Sequence, residues 1–334
     1  MLVIAVLLAH AALLAGPAPR LLARARWTIR FPQAALRTWH ACAAGLLITL
    51  AAALVLTAHD LWEHGMVWLF NADKHQVHAS YGGAWLAAGI AEAALLVLML
   101  GGVTLSTFTL RRTLRLRRVR DRHRLTADAQ AAHGPLGAHA EYDPSTGPTV
   151  RVLTHDAPAA FCIPGPRGGS RIVVTSAALE MLSGDELAAT LEHERAHLRL
   201  HHHRSILAAD VLTAALGWTG PLRGYADHVR RLAEMAADDQ AVRHHGRRTV
   251  AKALLEMSTA PDAGPGAPGL SAMTGSNPAE RIRRLIHASP RPAGRLVPAL
   301  ALAATLAVPA LPVAVAMAPA ALLADTAHPA SSGH

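Results

Sequence analysis

Four long apolar runs mark the sequence, at Met1 to about Ala18, about Leu36 to Ala58, about Ala84 to Phe108 and about Leu296 to Leu323. At 1.5 Å per helical residue, runs of this length cross a hydrocarbon core of about 30 Å, the first only just. The first run has no charge ahead of it, as a cleaved signal would, and its Arg cluster follows instead; it is read as a retained span leaving the membrane at Pro17 and Pro19. Between the third and fourth runs the pattern changes. Thr149-Val150-Arg151-Val152-Leu153 and Arg171-Ile172-Val173-Val174-Thr175 read as strands. Ser183 and Glu186 form a capping box that opens a helix through Leu187, Leu191 and Leu198. A second helix is expected from about Ala226 to His245, stopping at Gly246. Residues 261 to 278 read as a Pro/Gly/Ser-rich loop, after which Asn277 and Pro278 start a short amphipathic helix through Ile282 and Ile286.

Charge then orients the chain. Arg20, Arg24, Arg26, Arg30 and Arg37 follow the first span, and a denser block from Arg111 to Arg124 follows the third. The loop between the second and third spans sets Asp60, Glu63 and Asp73 against Lys74 alone. Lys and Arg near span ends favour the cytoplasm, so the N-terminus is expected outside. The expected division is 1–110 with three transmembrane helices (about 1–18, 36–58 and 84–108), 111–295 as a cytoplasmic domain, 296–323 as the fourth span, and 324–334 as a short extracytoplasmic tail. The fold class is α+β, a mainly helical membrane protein with about four transmembrane helices and a cytoplasmic domain that holds a small sheet. A net charge of +9 would suit a nucleic-acid binder, but the basic residues flank apolar runs, so no direct nucleic-acid partner is expected.

Candidate chemistry centres on His193-Glu194-Arg195-Ala196-His197. Residues four apart share a helix face, so His193 and His197 can present two imidazoles to one cation with Glu194 beside the open position. The bland alternative is a solvated face in a chain with 21 His residues. A catalytic zinc site needs a third protein ligand. Glu234, in Glu234-Met235-Ala236-Ala237-Asp238, is the favoured candidate, with Asp238 one turn on to fix a ligand imidazole. His203 is the rival, ten positions after His193, but Leu200 stands where that motif needs a turning Gly. The flanking His201 is four residues beyond His197 and within reach of the cleft. With only Cys42 and Cys162, neither a disulfide framework nor a Cys zinc site is expected.

With these residues in view, the chain resembles the BlaR/MecR-type membrane metallopeptidases and, more distantly, the HtpX and CAAX-prenyl-protease group. The resemblance rests on Ala160 to Gly165 and Arg171 to Ser176 as the edge-strand segment, Asp185 to His197 as the active helix, Glu234 to Asp238 as the third-ligand segment, and Pro278 with Arg281-Ile282 as the closing segment. It implies that 111–295 is a zincin-like zinc metallopeptidase domain, an HExxH zinc endopeptidase with one Zn2+ held by His193, His197 and Glu234, and Glu194 as the catalytic base. It also implies an extended substrate paired along the edge strand, and regulatory cleavage of a protein, a repressor of the BlaI/MecI type or the chain itself, at a bacterial-type plasma membrane. The penicillin-binding sensor of the receptors is not expected, since about ten residues follow Leu323 and no Ser-x-x-Lys occurs among them. The alternative reading is a membrane scaffold or signalling protein with a non-catalytic metal site.

Overall fold

The structure is a computed structural model that describes residues 2–57, 66–71, 73, 75–76, 88–130, 149–165, 169–259, 277–287 and 296–327. The loop expected at 261–278 and the acidic Asp60–Glu63 loop fall almost wholly outside these residues. The N-terminal helices are α1 (Leu2–Ala15), α2 (Pro17–Arg24), α3 (Arg26–Arg30) and α4 (Pro32–Thr57), followed by a 43-residue α5 (Ala88–Gln130). Helix α1 stops at Ala15, and Pro17, whose missing N–H costs nothing in a first turn, starts α2 after Gly16. Four helical stretches are long and apolar enough to cross a membrane, at Leu2–Arg24, Pro32–Leu56, Ala93–Leu116 and Leu296–Leu322. Leu96, Val97, Met99 and Val103 of α5 are exposed, as hydrocarbon-facing side chains should be.

The central region holds β1 (Thr149–Leu153), β2 (Ala160–Ile163) and β3 (Arg171–Thr175), in the order β1-β3-β2. β1 runs parallel and β2 antiparallel to β3, so β2 is an edge strand among the described residues. Then come α6 (Ser176–Met181), α7 (Gly184–Arg199), α8 (His202–Leu216), α9 (Tyr225–His245), α10 (Arg247–Thr259), α11 (Pro278–His287) and the long α12 (Leu296–Ala327). The capping box forms as expected, with Glu186 Oε2 accepting from Ser183 N–H at 2.9 Å. α9 stops at Gly246, whose φ of 79° is a conformation glycine tolerates. Asn277 caps α11, its Oδ1 accepting from Glu280 N–H at 3.2 Å.

Two cores matter for the site. One packs the sheet (Ile172, Val174) against α7 (Leu187, Leu191) and α10 (Val250, Leu254). The other joins the first turns of span α4 (Ala35, Leu36, Trp39) to α9 (Tyr225, Val229, Leu232). Trp39 stacks on His228 with ring centroids 4.7 Å apart. Within the membrane, α4 packs on both α12 and α1, and the buried His10 ring on α1 hydrogen-bonds the Thr49 hydroxyl at 2.8 Å, a neutral reason for an ionisable side chain in a span. Close approach of α4 and α12 depends on Gly45: a Cβ there would lie 2.8 Å from Val308 Cγ1 and 3.1 Å from Val308 O. Gly45→Leu is therefore expected to cost about 1–3 kcal/mol through overpacking, read as a lower thermal midpoint in detergent, whereas Gly101→Leu, with nothing near its Cβ, leaves the midpoint unchanged.

Candidate metal centre

α7 buries its sequence motif. His193, Glu194 and His197 are 0%, 1% and 8% exposed. α9 packs across α7 and turns Glu234 and Asp238 toward it from one face, both buried. His193, His197 and Glu234 each bring one ligand atom into a common cluster, all within 4.8 Å of one another. The closest approaches are 3.1 Å between the two imidazole Nε2 atoms, 3.4 Å from His193 Nε2 to Glu234 Oε2, and 3.5 Å from His197 Nε2 to Glu234 Oε1.

These separations fit a metal. Zinc ligands at about 2.0–2.2 Å in a tetrahedron lie about 3.3–3.6 Å apart, which the two imidazole–carboxylate separations match and the 3.1 Å imidazole pair slightly undershoots. Two imidazole nitrogens facing each other beside a buried carboxylate are what a cation-binding donor set looks like from the protein side. The three donors are also the hard and borderline atoms that divalent zinc takes.

Around them lies a second layer of partners. Asp238 Oδ1 stands 3.1 Å from His193 Nδ1, turning that ring so Nε2 faces the cluster. Asp238 in turn accepts a bidentate pair from Arg281 on α11, Nε to Oδ2 at 2.9 Å and Nη2 to Oδ1 at 2.6 Å. Arg281 also reaches Glu234 Oε2 through Nη1 at 3.1 Å, and it is 1% exposed. On the other ring, His197 Nδ1 meets His202 Nδ1 at 3.1 Å, and His202 Nε2 lies 3.5 Å from Gln33 Oε1 at the start of span α4.

Burial sets the protonation pattern. Burial pushes Glu194 up to about 7, with the Glu234 charge adding to the rise and His193 opposing it. Burial likewise lowers His197 to about 4 and His202 to about 3. For His193 burial opposes charging, but its contacts with Asp238 and Glu234 outweigh it and raise the ring to about 9. Asp238 stays ionised despite burial because Arg281 holds its carboxyl well below the usual range. The Cys162 thiol on β2 is pushed up first by burial and then by the charge of Glu194, to which it hydrogen-bonds.

All five residues singled out in the sequence, His193, Glu194, His197, Glu234 and Asp238, are thus brought together. His203 takes no part in the cluster. His201 does not reach it either, because α7 ends at Arg199 and His201 adopts a left-handed φ of 55°, so the four-residue periodicity from His197 is broken. The turn swings the neighbouring His202 back onto His197 instead. Arg281 and Gln33 also carry no local signal as site residues, since α11 and α4 reach the site only through tertiary packing. Asp238→Asn should keep the shape but lose the charge that orients His193, and is expected to weaken metal binding about 10–100-fold, measured by competition with a chromophoric chelator.

A buried His/His/Glu cluster that could hold a metal, in a chain with four helices long and apolar enough to cross a membrane, fits a family of membrane metallopeptidases. The chain belongs to the BlaR1 peptidase M56 family, whose profile matches residues 73–286. It is also similar over 73 residues to two curated relatives, at 33% identity to a protease HtpX homolog of Picrophilus torridus and 34% to one of Thermoplasma acidophilum. Each match covers 22% of this chain, and the chain spans about a quarter of those relatives' own length, 24% and 23%. No solved structure matches the chain.

Proposed function

We propose that this protein is a zinc endopeptidase of a bacterial-type plasma membrane, with its active site in a cytoplasmic region at 111–295 and its N-terminus outside. One observation carries the reading: two imidazoles and a carboxylate, buried at tetrahedral-edge spacings, lie beside a fourth buried group, Glu194, that is not needed to hold a metal. His193, His197 and Glu234 would hold the ion, and Asp238 and Arg281 would fix two of those ligands. When bound, zinc supplies Lewis-acid polarisation of the scissile carbonyl and of water. Glu194, with its affinity for protons raised to near neutrality, takes a proton from the attacking water and returns it to the leaving amine.

β2, an edge strand among the described residues, packs against α7, and Cys162 on that strand touches Glu194. An extended substrate adding to this edge would pass its backbone alongside the base, with main-chain hydrogen bonds supplying register. The substrate is a protein, and the family resemblance favours a repressor of the BlaI/MecI type or the chain itself. Sequencing new protein N-termini in cells carrying the wild type and in cells carrying Glu194→Gln tests this. Cleavages present only in the wild type support the reading, and identical N-terminal profiles under inducing and resting conditions sink it.

A further inference from the structure

A cavity of about 490 Å³ lies on the far side of α9 from the metal ligands. Its walls come from the start of span α4, the C-terminal half of α9 and the start of span α12, and include Arg30, Arg37, Asp239, Arg243, Ala299 and Leu302. Because both spans begin here, at Pro32 and Leu296, the cavity sits at the polar edge of the bilayer. Its charge is unbalanced. Asp239 is already paired with Arg284 on α11, so Arg37 and Arg243 bring positive charge to the wall that Asp239 alone does not balance. Leu302, exposed on α12, carries the wall toward the hydrocarbon.

A cationic recess opening onto an apolar helix face at the membrane boundary matches a lipid with a charged head and an apolar tail. The volume falls in the range of small-molecule sites. We propose that this cavity binds the phosphate headgroup of an anionic phospholipid, with Arg37 and Arg243 as its phosphate-contacting cations and the first turns of α12 receiving the acyl chains. A soluble anion would use the cations but not the apolar wall. The proposal rests on the spans and the cavity and is independent of the peptidase reading, so its failure leaves that reading standing. It acquires interest from the shared walls: Gln33 lines the cavity and faces His202, and α9 carries Glu234 on its opposite side.

The test uses the full chain in detergent, titrated separately with phosphatidylglycerol, phosphatidylcholine and inorganic phosphate and read by native mass spectrometry. Phosphatidylglycerol is expected to stay bound to the wild type. Two cations at the headgroup contribute about fivefold each, so R37Q/R243Q is expected to lower its retention roughly 25-fold, while Arg118→Gln in the α5 basic block leaves it unchanged. Ala299→Trp fills the cavity without altering charge and is expected to lose the lipid too, which keeps the test decisive if the double variant misfolds. A thermal midpoint equal to wild type reports intact folding. Equal retention by R37Q/R243Q or by Ala299→Trp, equal binding of phosphatidylcholine, or displacement of the lipid by inorganic phosphate would each overturn the proposal.

Discussion

Glu194→Gln is expected to cut the rate of peptide-bond hydrolysis by about 10²–10⁴-fold while metal content stays at the wild-type level. The substitution keeps the size and hydrogen-bonding reach of the side chain and removes only its ability to take a proton. Glu194 is not among the clustered donors, so nothing in the metal cluster is lost. The pH profile adds a second readout. Burial raises Glu194 to about 7, and a base must be deprotonated to act, so kcat/KM should rise with pH along an acid limb and then level off. A cation at the neighbouring ligands favours the carboxylate and moves that limb below 7. In Glu194→Gln the limb should vanish from the residual rate. Wild-type turnover by the glutamine variant with metal bound would show that another group is the base.

Arg281→Met should destabilise the metal-free protein by about 3–5 kcal/mol, the cost of leaving buried charge without its partner. Arg281 is the shared countercharge for two buried carboxylates, Asp238 and Glu234. The sign with pH follows from this. In the wild type both carboxyls are held below their ordinary values, burial opposing but Arg281 and the imidazoles prevailing, so their contribution is present above about pH 4 and is lost as pH falls through the depressed values. In the methionine variant burial is opposed only by the imidazoles, so the variant should recover part of its deficit in mild acid. Zinc should also raise its thermal midpoint more than that of the wild type, because the ion substitutes for the missing cation. Denaturation with chelator and with zinc at two pH values distinguishes this from a generic core defect, which neither condition would relieve.

Much of this arrangement was legible in the sequence wherever the signal is local. Apolar runs long enough to span, Ser183 and Glu186 as a cap, Gly246 as a stop and Asn277-Pro278 as a start are each settled within a few residues, and each forms. The clustering of Glu234 with a motif forty residues earlier was accessible because α9 shows a one-turn pairing with Asp238. What escaped depends on tertiary packing. His202 enters the site only because a left-handed residue breaks the helix before it. Arg281 looks like any basic residue on an amphipathic helix until α11 docks and buries it. β2 is four residues long and too short to read from its own pattern; only the family resemblance marks Ala160 to Gly165 as an edge segment, and the sheet order puts β2 there.

The stack of Trp39 on His228 and the packing of Leu36 against the α9 core mean that a membrane helix supplies a wall of the peptidase fold. The region from residue 111 to 295 is therefore a stretch of sequence rather than a detachable unit. Expressed alone it would present Tyr225, Val229, Leu232 and Ala233 as a bare apolar stripe and would be prone to self-association. Extraction from the bilayer would threaten catalysis by the same route, since detergent that loosens α4 loosens the helix that carries Glu234.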